Sequence, residues 1–510
     1  SSSHSPQSPL MAKSKFIKNS ILTLNPHLYH QFHDLLTPKS NPRNHRSSSQ
    51  TLFFITLLLA SILCCTSINS FHYNKPSLSV ITHTAAHTPL LMASLLSVFQ
   101  DPTSGEDLDA PVRLDTTAMV PLPPRSVGGS VAEFWKHPDD EGFKPCLEFT
   151  LRYRKRSVKI ANEKKRFLVV VVSGGLFDIR NQIVDAVVIA RILEAALVLP
   201  VLEGDLSEFS EIFDVEHFKK TLKADIRVVS DLPSTHLVSS QSLENQIPHN
   251  VPPFWIRARY FKKLNEKGAL VLTGLGSKLI NNLPPDLQKL RCKVAFHALK
   301  FAKPVTELGN RIARRMWIEG PYVAIHLSLE KDLLVKTGCP TGLGPEYDLL
   351  INKERESNHE LLTPNSNLSC PLNALEVTRI LKELGAPANA RVYIAGGEPF
   401  GGDRAILPLK SEFDNVVKKE MLARDGELDH YKNRSTILTA IDYIVSLSSD
   451  VFLPSYDGHM VRALQGHRAY VGHRKFVTRS MNFMGQPQPR GKRRDRDVIT
   501  FPVPECMCKN

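Results

Sequence analysis

A chain of 510 residues has room for two or three domains and a sizeable core. Its 42% hydrophobic and 23% charged residues are ordinary for a globular protein. The net charge of +13 invites a nucleic-acid reading, yet much of the excess lies in the tails. Residues 1–50 hold six Lys/Arg against Asp34 alone, residues 481–510 hold six against three acids, and no basic motif with interleaved aromatics stands between them. That pattern argues against nucleic-acid binding.

Taken in order, the chain first offers Thr51 to Ile68, an 18-residue stretch with no charged residue. It is longer and later than the ~7–15-residue apolar core of a cleaved signal peptide, and just long enough to span a bilayer. Lys39, Arg43 and Arg46 precede it and no Lys or Arg follows until Lys75, so the positive-inside rule leaves the N-terminus cytosolic. The expectation is a type II signal anchor with the rest of the chain in the secretory lumen. Asn367-Leu-Ser369 and Asn433-Arg-Ser435 are N-glycosylation sequons there. Six cysteines beyond the span (Cys146, Cys292, Cys339, Cys370, Cys506, Cys508) allow three disulfides, with pairing open. Cys506-Met-Cys508 lacks the second pair or nearby histidines of a zinc site.

Residues 69 to about 143 are rich in Ser, Thr, Pro and His and read as a stem. The first organised unit opens with Phe167 to Val172, an apolar, β-branched run expected to be a strand buried on both faces. Ser173-Gly174-Gly175 breaks it, Arg180 to Ala196 reads as a helix, and Leu197 to Leu202 as the next strand. This βαβ unit places a glycine turn at a helix N-terminus, a natural anion site, although the full G-x-G-x-x-G pattern is absent. Phe213 to Leu222 reads as a short helix, Ile226 to Val229 as a short strand, and Cys292 to Trp317 as two helices broken at Pro304.

A second unit begins at Tyr322. Along an extended strand Tyr322, Ala324, His326, Ser328 and Glu330 share one face, polar toward the C-terminal end, where ligands bind in parallel sheets. Asn373 caps a helix to Leu384 with Glu376 three residues on. Then follow the strand Val392 to Ala395, the turn Gly396 to Gly402, the helix Thr436 to Ser449, and the strand Val451 to Ser455 leading into Tyr456-Asp-Gly-His459. Two strand–turn–helix units with loops facing a cleft suit a sugar-nucleotide transferase.

Several motifs occur in a telling order: Ser173-Gly-Gly-Leu176 with Arg180; Tyr322-Val-Ala-Ile-His-Leu327 with Glu330-Lys-Asp332 and Thr337-Gly-Cys339; Cys370-Pro-Leu372; Tyr393-Ile-Ala-Gly-Gly-Glu398; Ala440-Ile-Asp-Tyr-Ile-Val-Ser-Leu447; Ser449-Asp-Val-Phe452; Tyr456-Asp-Gly458; and Gly472-His-Arg474. Over roughly Arg166 to Lys475 the chain resembles the plant O-fucosyltransferase family, the GDP-fucose protein O-fucosyltransferase-like proteins. The resemblance implies an α/β, GT-B-like fold with two Rossmann-like domains facing a cleft, after an N-terminal transmembrane helix. The corresponding division is a cytosolic tail (1–50), the anchor (51–68), a stem (69–165), an N-terminal domain (166–320), a C-terminal nucleotide-sugar domain (321–480) and a basic tail (481–510). It also implies metal-independent, inverting transfer of fucose, or another deoxyhexose such as rhamnose, from GDP-fucose or UDP-rhamnose to a cell-wall glycan or glycoprotein. Golgi residence follows, with other Golgi transferases as partners and no cofactor or metal.

Such a reaction needs cations, N–H groups and helix N-termini against the leaving diphosphate. Gly174, Gly175 and Arg180 are candidates from the first domain, with Ser328, Asp442, Ser449, Asp450 and Gly458 from the second. His326 and Asp457 are the candidate catalytic residues, one of them a general base. Asn367 and Asn433 are the expected glycosylation sites. The chain departs from the family at this cleft. The family turn reads Gly-Gly-Leu-Asn-Gln, where this chain has Phe177 and Asp178. Its strand reads His-Leu-Arg, where this chain has Ser328, and its Asp-Gly-Asn becomes Asp-Gly-His459. Losing the guanidinium removes a charge-assisted contact worth on the order of 1.5–3 kcal/mol. A catalytically weakened pseudoenzyme acting as a Golgi binding or scaffold protein is therefore the rival reading. A nucleotide-dependent oxidoreductase comes third, since neither unit carries the dinucleotide fingerprint.

Overall fold

The computed structural model describes residues 147–471, apart from 204–207, 237–242, 245–246, 277, 280, 282 and 358–369, together with 134–135, 143–145, 475–477, 499–500 and 507–509. The expected anchor, most of the stem, Asn367, Gly472-His-Arg474 and most of the basic tail lie outside these residues. Among the described residues no helix is long and apolar enough to cross a membrane.

The first half is a parallel sheet built on β1 (Phe167–Val172), whose six residues are all buried. Helix α1 (Leu176–Leu193) follows, starting four residues earlier than the sequence suggests, because Gly175 already serves as its N-cap. Beyond it come β2 (Ala196–Val198), β3 (Val228–Val229), β4 (Leu243–Glu244), α2 (Pro253–Lys267) and β5 (Ala269–Thr273). The sheet order is β3-β2-β1-β5-β4, every pairing parallel. The strand expected over 197–202 is broken: Val201–Leu202 pairs with β1 separately, past Pro200, which has no N–H to give a ladder.

Helix α3 (Pro285–Lys293) runs into a π-turn at Val294–Ala298, and α4 (Lys303–Trp317) restarts with Pro304 in its first turn, where a missing N–H is harmless. The second sheet comprises β6 (Tyr322–His326), β7 (Arg391–Ala395), β8 (Asn415–Val417), β9 (Val451–Pro454), β10 (Lys475–Val477) and β11 (Ile499–Thr500), in the order β8-β7-β6-β9-β10-β11. Only the β10–β11 pairing is antiparallel. Chain order therefore reverses at β6 and β9, the switch point at which doubly wound sheets open a crevice at their carboxyl ends. Helices α5 (Ala374–Glu383), α6 (Ser435–Ser448) and α7 (His459–Tyr470) cover this sheet. Asn373 and Glu376 form the capping box on α5 that the sequence indicates.

Helix α1 explains how the halves join. All of its residues except Asp178 and Asn181 are buried, as expected of a helix apolar all round. It packs on its own sheet and also against α6 and α7 of the second half. One hydrophobic cluster accordingly runs from Leu168 and Val187 through Tyr443 and Leu464 to Ala324 and Phe452. A second cluster, with Val323, Ile325 and Leu327, fills the other face of the second sheet. The disulfide Cys339–Cys370 ties the loop after β6 to the segment before α5, and Cys292 is also disulfide-bonded.

Candidate active site

On the first-half side, the turn after β1 forms because Gly174 adopts φ +100°, a conformation that L side chains avoid; a Cβ there would also lie 3.1 Å from that of Asp178. Gly175 caps α1 with its backbone alone, so the first N–H groups of the helix are left for another acceptor. Gln182, one turn along, fixes the loop by accepting from the Ser173 N–H (3.3 Å) and donating to the Ser173 carbonyl (2.6 Å).

On the second-half side, β6 ends at His326, so Ser328 and Glu330 lie in the following loop. Ser328 is buried; its N–H donates to the Ser455 Oγ (2.8 Å), and its own Oγ lies 3.0 Å from His326 Nδ1. Burial holds the His326 pKa down at about 4, so the imidazole is neutral at neutral pH. Glu330 accepts the Gly397 N–H at 3.2 Å. At the end of β9, Asp457 is exposed and doubly paired with Arg462 (3.1 and 3.0 Å), and Gly458 caps α7 beside open space.

The first turns of α1 and α7 meet. Asp178 Oδ1 stands 2.6 Å from His459 Nδ1, with both side chains about half exposed (46% and 51%). Phe177, next to it, is buried and turned the other way, its ring 5.1 Å from that of Tyr443 on α6. The Asn-to-Phe departure therefore supplies a hydrophobic wedge between the halves, while the departures at 178 and 459 satisfy one another. Each was visible in the sequence as an oddity. Their partnership was not, since 281 residues separate them.

Other expected donor contacts fall elsewhere. Ser449 and Asp450 stand at the N-terminal end of β9, about 13 Å from its carboxyl end at ~3.3 Å per residue. Ser449 Oγ donates to the Ser446 carbonyl and accepts from Arg468, and Asp450 accepts the Tyr322 N–H at 2.9 Å. These two residues hold the sheet's far edge and do not line the cleft. Asp442 is buried below the cleft, accepting from Tyr393 Oη (2.6 Å), the Gly396 N–H (3.2 Å) and Lys419 Nζ (3.0 Å). Burial raises the Asp442 pKa even against these donors. Burial opposes the Lys419 charge too, but Asp442 and Glu420 outweigh it and raise the Lys419 pKa. A carboxylate with three donors, one an ammonium, is an ion pair whose work is to fix the Gly396 turn. No signal in the sequence marked Lys419. Arg180 is buried, donates to the Ala295 carbonyl and stacks over Phe296 (5.1 Å). Burial lowers its pKa, partly offset by Tyr443. Asn433 is exposed just before α6. Among the described residues, no group of three or more His, Cys, Asp or Glu is placed to hold a metal.

Two Rossmann-like sheets, each with its switch point at one cleft, define an α/β protein of the kind that handles nucleotides between its halves. Residues 167–471 match the family model for GDP-fucose protein O-fucosyltransferase, and the chain belongs to that glycosyltransferase family. O-fucosyltransferase 37 of Arabidopsis thaliana is 58% identical over 439 residues, covering 77% of this chain and 78% of that protein. O-fucosyltransferase 20 of the same plant is 49% identical over 418 residues (74% and 73%). Rhamnogalacturonan I rhamnosyltransferase 1, also from Arabidopsis thaliana, is 35% identical over 387 residues (70% and 75%). Among solved structures, a crystal structure of POFUT1 with GDP aligns at a TM-score of 0.41 and 15% identity, covering 62% of this chain and 99% of that one. That likeness is too distant to place a site.

Proposed function

We propose that the protein is an inverting glycosyltransferase of GT-B type that moves fucose, or a related deoxyhexose such as rhamnose, from a nucleotide sugar to a hydroxyl of a cell-wall glycan or glycoprotein. In this reading it works from the Golgi lumen behind a single N-terminal anchor, glycosylated at Asn367 and Asn433. The observation that carries the chemistry is the Asp178–His459 contact where the two switch points meet.

The donor diphosphate lies at the Gly174-Gly175 turn, facing the free N–H groups and positive end of α1. Gly396 and Gly397 and the loop from Tyr456 to Gly458 close on the nucleotide from the other half. Charge developing on the leaving diphosphate is met by the uncapped N–H groups and positive end of α1, since the Gly396 and Gly397 N–H groups are held by Asp442 and Glu330, and the reading requires no metal. The acceptor oxygen attacks the anomeric carbon on the face opposite the diphosphate, and its proton passes to a base. His326 is poorly suited to that task, with its Nδ1 engaged by Ser328 and its proton affinity suppressed by burial. Asp457 is committed to Arg462. His459 is oriented through Nδ1 by Asp178, while its Nε2 makes no hydrogen bond to a described residue. It is the group placed to take the proton, with Asp178 stabilising the imidazolium.

The test follows nucleotide release by the full-length chain given GDP-fucose or UDP-rhamnose with plant glycan acceptors. His459→Asn should slow turnover by about 100-fold or more while leaving nucleotide affinity within a few-fold. Unchanged turnover would remove His459 from the chemistry. Nucleotide-sugar binding with no turnover on any acceptor would leave a binding protein, the reading that buried Ser328 in place of arginine favours.

A further inference from the structure

The helix Leu151–Ala161 precedes β1 and is fastened to the first half at several points. Thr150 caps it and donates its hydroxyl to Asp286 (2.6 Å). Tyr153 Oη (2.9 Å) and Lys293 Nζ (2.8 Å) both donate to the buried Asp225 carboxylate, and Arg191 donates to the Tyr153 carbonyl and the Ser157 hydroxyl. Tyr153, Ser157 and Ile160 make up the buried face. By the helical repeat, the face opposite is the row Leu151, Lys155 and Val158, flanked by Arg152 and Lys159, and all five are exposed. Leu151 and Val158 are 66% and 61% exposed, two apolar side chains held out in the middle of a cationic surface. The helix contains no acidic residue, and Lys164 and Lys165 carry the charge on toward β1. Nearby carboxylates are engaged elsewhere: Glu163 with Arg166, and Glu194 with Arg257 (3.3 Å) and Arg156 (3.7 Å).

Arg191, which grips this helix, lies roughly 24 Å along α1 from Gly175, at ~1.5 Å per residue. The helix therefore sits by the amino ends of the first sheet's strands, on the side away from the cleft. A polyanion in water gains nothing from the two apolar side chains. At a bilayer they enter the headgroup boundary while the cations around them meet anionic headgroups. On the anchored reading, the sequence before this helix leads back to the apolar stretch Thr51 to Ile68 and so tethers the chain to a bilayer. We propose that Leu151–Ala161 is an interfacial helix that docks the first half on a bilayer carrying anionic phospholipids. Leu151 and Val158 insert, Arg152, Lys155 and Lys159 lie against the phosphates, and the cleft faces away from the membrane. Docking of this kind rests on the anchored reading and adds an orientation that a long tether alone does not impose.

The full-length chain is reconstituted in lipid nanodiscs of phosphatidylcholine, with or without phosphatidylserine, and lysine acetylation rates are read by mass spectrometry. Lys303 on α4, whose side chain is 85% exposed, is the internal reference. The expected result is labelling of Lys155 and Lys159 at least about threefold slower in the anionic discs, reversed by high salt, with Lys303 unchanged. Leu151→Asp combined with Val158→Asp keeps every cation and should abolish the protection. Both positions are exposed, so the fold tolerates the change, and an unchanged thermal midpoint checks it. Equal labelling in the two kinds of disc, with the chain held in them, would overturn docking and leave the anchor standing. Protection that persists in the double variant would mark a general polyanion site and overturn the bilayer assignment. A chain that fails to co-purify with the discs would sink the anchored reading instead. Sedimentation with phosphatidylserine vesicles then decides docking by itself, and a chain left in the supernatant overturns it.

Discussion

Phe177, Asp178 and His459 stand where the family has amides, and each has a physical occupation here. Phe177→Asn would restore the family residue, yet it would empty a space beside Tyr443 and bury an amide there. The expected loss is about 3 kcal/mol or more, read from a denaturant midpoint. Asp178→Asn should act in two directions. Turnover should fall at least roughly tenfold as His459 loses its orienting charge, while nucleotide affinity rises a few-fold because a carboxylate leaves the N-terminus of α1. Parallel losses of turnover and affinity would show that Asp178 only supports the fold. His326 gives a pH prediction. Its folded pKa is about 4 against an ordinary 6.5, so between these values the unfolded chain holds more protons. The stability present above pH 6.5 is therefore lost as pH falls toward 4, by no more than about 3 kcal/mol. His326→Asn should flatten stability over that window, and an unaltered slope would place the acid sensitivity elsewhere.

At the scale of elements, α1 shows what the sequence could and could not carry. Its apolar run announced a helix beside a strand, and β1 matches the expected residues 167–172. Most of its polar residues are buried as well, each with a partner. Gln182 is spent on Ser173, Asp185 on the Lys278 N–H, and Arg191 on the Ser157 hydroxyl and the carbonyls of Asp225 and Tyr153. The partners of Asp185 and Arg191 come from distant chain segments, which periodicity alone does not bring together. The early start of α1 went unseen for a related reason: Phe177 and Asp178 answer to residues in the other half. Helix packing across the halves makes its own prediction. Gly309 on α4 lies so close to Ile444 on α6 that a Cβ would fall 2.7 Å from Ile444 Cδ1 and 2.9 Å from its Cβ. Gly309→Ala should force the helices apart and lower stability by about 1–3 kcal/mol in chemical denaturation. A neutral result would mean that α4 and α6 slide easily.

For the whole molecule, the order of motifs conveyed two α/β units, and the strand order adds a switch point in each. How the units join was illegible, because the seam is made by residues read as a ligand loop (Phe177, Asp178) and by a helix face (Tyr443, Leu464) with no mark of its own. The shared core predicts that the halves unfold together in one transition. The cleft loops are held by local devices instead. Cys339–Cys370 anchors the chain just before Leu372, whose N–H donates to the Ser455 carbonyl at 2.8 Å. Ser455 in turn accepts from Ser328, so the disulfide, Ser455 and the loop after β6 form one chain of restraint ending beside His326. Replacing both cysteines by serine should cost about 2–4 kcal/mol through the freed loop. It should also loosen the second-half side of the cleft, weakening nucleotide affinity while the Asp178–His459 side stays intact. Titration of that variant with GDP and UDP separates the two effects: lowered stability with full affinity would show that the cleft loops hold their shape without the crosslink.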